Sequence, residues 1–115
     1  MTYEVRHYLT AAGVDPFAEW LNALRDRQAR ARVEARIDRV ERGLFGDCEP
    51  VGEGVSELRI DWGPGYRVYF GRAGARIVLL LLGCDKRKQQ ADITQAKEYW
   101  HDYQERTKTQ GKRPS

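Results

Sequence analysis

From Ile77 to Leu82 every residue is apolar, and no other stretch of the chain limits its fold so sharply. A strand with one wet face alternates apolar and polar side chains, so a run with no polar position reads as a strand covered on both sides. The rest of the sequence must then supply neighbouring strands and apolar helices for both faces. The run is also far shorter than the roughly 20 apolar residues of a spanning helix, and no longer one exists, so no membrane segment is expected.

Helices are available on either side of it. Asp15 followed by Pro16 is an N-cap with proline at the first helical position, and Phe17, Trp20, Leu21 and Leu24 recur after it at helical spacing. Val33, Ile37, Val40 and Leu44 mark the inward face of a second helix that Gly43 is placed to end, and the two form a hairpin broken near Arg25 to Gln28. Ile93, Ala96, Trp100 and Tyr103 mark a final helix.

Period-two alternation supplies the other strands. Tyr3, Val5, His7 and Leu9 alternate with Glu4, Arg6, Tyr8 and Thr10, which predicts a strand over residues 2–10. Leu58, Ile60 and Trp62 alternate with Glu57, Arg59 and Asp61, and Tyr66, Val68 and Phe70 with Arg67 and Tyr69, around the turn residues Gly63-Pro64-Gly65. Centring that hairpin on Pro64 pairs Leu58 with Phe70, Ile60 with Val68 and Trp62 with Tyr66. On the other face it sets Asp61 across from Arg67 and Arg59 across from Tyr69. Gly46 to Gly54, with Pro50 and three acids, reads as a surface loop. The expectation is one α+β domain over residues 1–106 with four strands, followed by a frayed basic tail over residues 107–115.

With 115 residues, 41% hydrophobic and 32% charged, the chain has the balance of a soluble single domain. Its net charge of +3 is unevenly spread: residues 24–43 carry +3 and residues 55–88 carry +4, while Asp47, Glu49 and Glu53 lie between them with no basic residue. Two positive segments suit a protein that meets phosphates or an acidic partner, although a solvated helix face with i,i+4 pairs is the better account of the first taken alone. Cys48 and Cys84 are too few for a disulfide scaffold and have no zinc-type spacing. Charge at Glu4 and Arg6 gives no signal for export, so a cytoplasmic location is expected.

The alternation places Arg59, Arg67 and Tyr69 on one sheet face, with Lys86 entering from the end of the last strand and Arg87 and Lys88 following it. Single-stranded RNA is held by such a combination of cations and aromatic rings. The structural alternatives are plain: Asp61 neutralises Arg67 across the hairpin, and Tyr69 packs under the last helix. His7 and His101 read as packing or surface residues.

The element order, together with Glu57-Leu58-Arg59-Ile60, Tyr66-Arg67-Val68-Tyr69-Phe70 and Gly83-Cys84-Asp85-Lys86 followed by Gln89, Asp92-Ile93 and Ala96, resembles the RelE/ParE toxin superfamily, specifically its HigB-like "addiction module killer protein" group, over residues 3–106. The resemblance implies a RelE-like α+β fold with a mostly antiparallel sheet, a cognate antitoxin of helix-turn-helix type, and no metal or cofactor. It implies cleavage of messenger RNA in the ribosome by attack of a ribose 2′-hydroxyl on the adjacent phosphate. Arg67 would stabilise the transition state, Arg59 would hold the phosphate, Lys86 would add charge or move a proton, and Tyr69 would stack a base or donate a proton. Arg87 and Lys88 would bind RNA. Several relatives place a histidine after the last strand, where this chain reads Cys84-Asp85-Lys86-Arg87, leaving Asp85 as a candidate base. Two other readings of the resemblance are a ParE-like gyrase poison and a degenerate toxin that only binds its antitoxin.

Overall fold

A computed structural model describes residues 2–85 and 89–111. Their elements are, in chain order, β1 (Glu4–His7), α1 (Pro16–Ala23), α2 (Arg27–Glu41), β2 (Cys48–Gly52), β3 (Val55–Ile60), β4 (Tyr66–Arg72), β5 (Ile77–Asp85) and α3 (Gln89–Gly111). The strands form one five-stranded sheet in the order β1-β5-β4-β3-β2, with β1 parallel to β5 and the other pairs antiparallel. The architecture is α+β with a mixed sheet.

The apolar run takes the place its composition demands. β5 lies inside the sheet between β1 and β4 and is covered on both faces. Val78 and Leu80 join Phe17, Ala29, Val33, Val40, Leu58, Val68 and Phe70 in a core under α1 and α2. Leu79 and Leu81 join Tyr8, Val55, Tyr69, Ala96 and Trp100 in a second core under α3. The Asp15 side chain caps α1 at Ala18 N, Asp26 caps α2 at Gln28 N and Ala29 N, and Gly43 ends the second helix at φ +85°. Among the described residues no helix is long and apolar enough to cross a membrane.

Several expectations are corrected. The sheet has five strands and not four, because the segment expected as a loop holds β2, paired as Cys48↔Leu58, Glu49↔Glu57 and Pro50↔Ser56. Acids and proline have low strand propensity, but an edge strand leaves one side unpaired, and proline is tolerated there. The first strand ends at His7: Leu9 is exposed beside a turn closed by Thr10 and Val14, and Tyr8 is buried instead. Leu44 is 60% exposed and forms no part of the core. α3 runs to Gly111, well into the segment expected as a tail.

The β3–β4 register is displaced from the expected one while every side chain keeps its face. Leu58 pairs with Val68, Ile60 with Tyr66, Arg59 with Arg67 and Glu57 with Tyr69. Trp62 is the cause. Instead of facing Tyr66 it leaves the ladder for α2, where the Arg32 guanidinium stacks 4.1 Å from its ring centroid and Asp26 accepts from its Nε1 at 3.4 Å. The loop is thereby lengthened to residues 61–65.

A bulge interrupts β4–β5, where pairing passes from Tyr69↔Leu82 to Phe70↔Leu80. Leu81 is the extra residue, and both Leu81 and Leu82 pack in the α3-side core. Alternation resumes in the opposite phase, so Gly83 lies against Trp20 of α1 and Cys84 faces α3. Two glycines make room for the indoles: a Cβ at Gly83 would fall 2.1 Å from Trp20, and one at Gly71 2.4 Å from Trp100.

Candidate functional site

The α3-facing side of the hairpin carries two rows of charge. The register sets Arg59 directly across from Arg67, and Glu57 directly across from Glu49 on its other side. Like charges at facing positions repel, so each row alone would weaken the sheet. The two rows neutralise one another along the strands. Glu57, only 2% exposed, accepts from Arg59 Nε at 3.1 Å and from Arg67 Nη1 at 3.4 Å. Arg59 also donates from Nη2 to Glu49 at 2.6 Å and lies 3.7 Å from Asp47. These carboxylates, with the Glu57 hydrogen bond foremost, hold the Arg59 pKa above its ordinary value.

Beside the guanidiniums opens a cleft of about 220 Å³, lined by Asp47, Arg59, Ile60, Asp61, Gly65, Tyr66 and Arg67. It brings together Arg59 and Arg67 as the sequence predicts. Beyond the Asp61 that the sequence sets across from Arg67 it adds further acids, so the described part of the cleft is no simple basic concavity: two arginines meet Asp47, Glu49, Glu57 and Asp61. Glu57, and not Asp61, is the ion-pair partner of Arg67.

Tyr69 is not in the cleft. It is wholly buried under α3, where burial raises its pKa and the Cys84 thiol donates to its hydroxyl at 3.6 Å. In that position it can neither stack a base nor pass a proton to a ligand, so its predicted role is withdrawn. Burial likewise pushes the Cys84 thiol up to about 12, which leaves it unreactive. Lys86, Arg87 and Lys88 lie outside the described residues; the candidate base Asp85 ends β5, across from Tyr66. Neither His7 nor His101 lines the cleft.

Arg36 belongs to the positive segment of α2, yet it turns inward. Its guanidinium donates to the backbone carbonyls of Arg59, Phe45 at 2.9 Å and Asp47 at 3.2 Å, and burial pulls its pKa below the ordinary arginine value. The contact ties α2 to the β2–β3 edge and fixes the backbone that presents Arg59 and Asp47. Arg36→Met should therefore cost about 2–3 kcal/mol, because half-buried carbonyls lose a charged donor. Urea unfolding of the variant checks this, and a loss below about 0.5 kcal/mol, the level of an ordinary surface change, would refute it.

Glu57, Glu49, Asp47 and Arg36 are the site residues that sequence reasoning missed. Alternation did put Glu57 in line with Arg59, which was the available signal. Glu49 and Asp47 had no place in the sheet while their segment read as a loop.

Over 97 residues the chain is 44% identical to an uncharacterized protein of Haemophilus influenzae, a match that covers 84% of this chain and 92% of that protein. The chain matches no family model.

Proposed function

We propose that this chain, which belongs to one family with the uncharacterized Haemophilus influenzae protein, is the toxin of a type II toxin–antitoxin module, a RelE-like endoribonuclease that cleaves messenger RNA in the ribosome. The observation that carries this reading is the side-by-side setting of Arg59 and Arg67 on the wall of an open cleft, within the motifs that resemble the HigB-like killer proteins. Paired guanidiniums match the geometry of a phosphate and the charge that grows on it during attack by a neighbouring hydroxyl.

In the proposed reaction the ribose 2′-oxygen bonds to phosphorus and the bond from phosphorus to the 5′-oxygen breaks, leaving a 2′,3′-cyclic phosphate and a 5′-hydroxyl. The 2′ proton passes to a carboxylate, and the resulting carboxylic acid returns it, directly or through water, to the leaving 5′-oxygen. Asp61 lines the described cleft and Asp85 ends β5 across from its Tyr66, so these two carboxylates stand in for the absent histidine as candidate acceptors. Arg67 stabilises the equatorial oxygens, Arg59 holds the phosphate, and Lys86, Arg87 and Lys88 supply further cations from the segment after β5. Glu57 acts through the two arginines as a positioning residue.

The same resemblance admits a gyrase poison. The 23-residue helix that ends the described chain, in place of a charged strand tail, favours the nuclease branch. Controlled expression of the chain should arrest growth, and co-expression of a helix-turn-helix protein encoded in the adjacent reading frame should restore it. Normal growth with soluble protein confirmed on a gel would overturn the toxin reading.

A further inference from the structure

The Arg59 guanidinium is already occupied. Its three carboxylate partners differ in one respect that decides what each can do. The Glu57 side chain is 3% exposed and pinned by a second arginine, so it is a permanent part of the wall. The side chains of Glu49 and Asp47 are each 59% exposed and come from the edge strand β2 and the residue before it. β2 has a single strand neighbour and an irregular register between Pro50 and Gly52. Exposed carboxylates on such an edge can leave their partner by rotamer changes alone, without disturbing either core.

From this we infer that Glu49 and Asp47 are resident counter-ions of the phosphate position, which an incoming phosphodiester must displace from Arg59. The inference rests on the reading of the cleft as an RNA site and adds a determinant of its selectivity. A carboxylate and a phosphate present the same pair of oxygens to a guanidinium, so they compete for one set of donors. A free phosphate or a weakly held strand meets a site that is already neutralised. A strand positioned by other contacts, such as one held in a ribosome, brings its phosphate at high effective concentration and wins the exchange. The arrangement would keep the free protein from binding cellular RNA at random. Competition from exposed ion pairs is modest, so releasing Arg59 should strengthen binding by about two- to fivefold for each carboxylate removed.

The test is fluorescence-anisotropy titration of a labelled single-stranded RNA with 2′-O-methyl riboses, which cannot be cleaved by 2′ attack. Glu49→Gln and Asp47→Asn should each bind this probe more tightly than the parent chain by that factor. Asp38→Asn makes the same change of net charge on exposed α2 and should gain less. In an Arg59→Gln background the gain from Glu49→Gln should vanish; if that protein does not fold, Arg59→Lys replaces it, and the gain should shrink because an ammonium cannot grip several carboxylates in fixed geometry. A gain equal to that of Asp38→Asn, a gain that persists without Arg59, or weaker binding by Glu49→Gln overturns the counter-ion role while leaving the RNA site standing. Failure of the parent and every variant to bind the probe overturns the RNA site itself, and the inference with it.

Discussion

Replacing Arg67 by alanine should lower stability by about 2–4 kcal/mol, a loss far greater than that of an ordinary surface cation. The side chain is only 14% exposed and its partner Glu57 is buried, so the substitution strands a carboxylate that water cannot reach. The loss falls short of the full effect of breaking a buried pair because Arg59 Nε still donates to Glu57. For a domain of this size the midpoint of thermal unfolding should fall by roughly 8–17 °C. The diagnostic variant is the double substitution Glu57→Gln/Arg67→Ala, which removes the stranded charge and should recover a substantial part of the loss. If Arg67→Ala melts with the parent protein, or the double variant is no better than the single one, the ion pair is not what holds this wall together. It follows that loss of toxicity in Arg67→Ala alone would not identify a catalytic group. Activity of Arg67→Lys, which keeps the charge but lacks the planar fork, is the cleaner comparison with the parent chain.

Messenger RNA in a translating extract should acquire new 5′ ends within codons when the chain is added, and the same RNA without ribosomes should be cut at least a hundredfold more slowly, because free strands rarely align a 2′-hydroxyl in line with its phosphate. Primer extension reads both outcomes. The new ends should carry 5′-hydroxyl groups, and Arg67→Lys should reduce their yield sharply at equal folded concentration. Intact messages together with double-strand breaks trapped on gyrase would refute the nuclease and promote the gyrase reading. Equal cutting of free and ribosome-held RNA would refute the ribosome dependence and the competition proposed at Arg59 together.

The sequence carried the fold where burial alone decides structure. The unbroken apolar run, the Asp15-Pro16 cap and the inward faces of the helices each have one solution that buries them, and β5, α1 and α2 adopt it. It failed where a segment is shaped by its neighbour. Cys48–Gly52 is a strand because β3 offers it an edge, and its own residues argue against one. The hairpin register was missed for a related reason: apolar pairs survive a displacement that preserves the faces, and the choice was made by Trp62 finding Arg32 and Asp26 on α2. The site inherits both errors. Arg59 and Arg67 were legible as neighbours on one face, but the carboxylates between and beside them became visible only with β2 in the sheet and Arg59 opposite Arg67. Tyr69 was legible as sharing their face, and of its two readings in the sequence the structure adopts the packing one, under α3.

The extra residue in β5 also works as a phase change in the strand's code. Before Leu81 the odd-numbered side chains serve α3 and the even-numbered ones serve α1 and α2; by Gly83 and Cys84 the assignment is reversed. Composition tolerates much exchange here, since leucine, isoleucine and valine satisfy either core. Length tolerates none. Losing a single leucine from Leu79–Leu82 would keep the strand apolar and leave its hydropathy almost unchanged. It would also turn Cys84 toward Trp20, where only a glycine fits, and withdraw the small residue from beneath the indole. In this family, a one-residue gap in that run would therefore be the more damaging lesion than several substitutions, and relatives are expected to diverge there in letter and not in count.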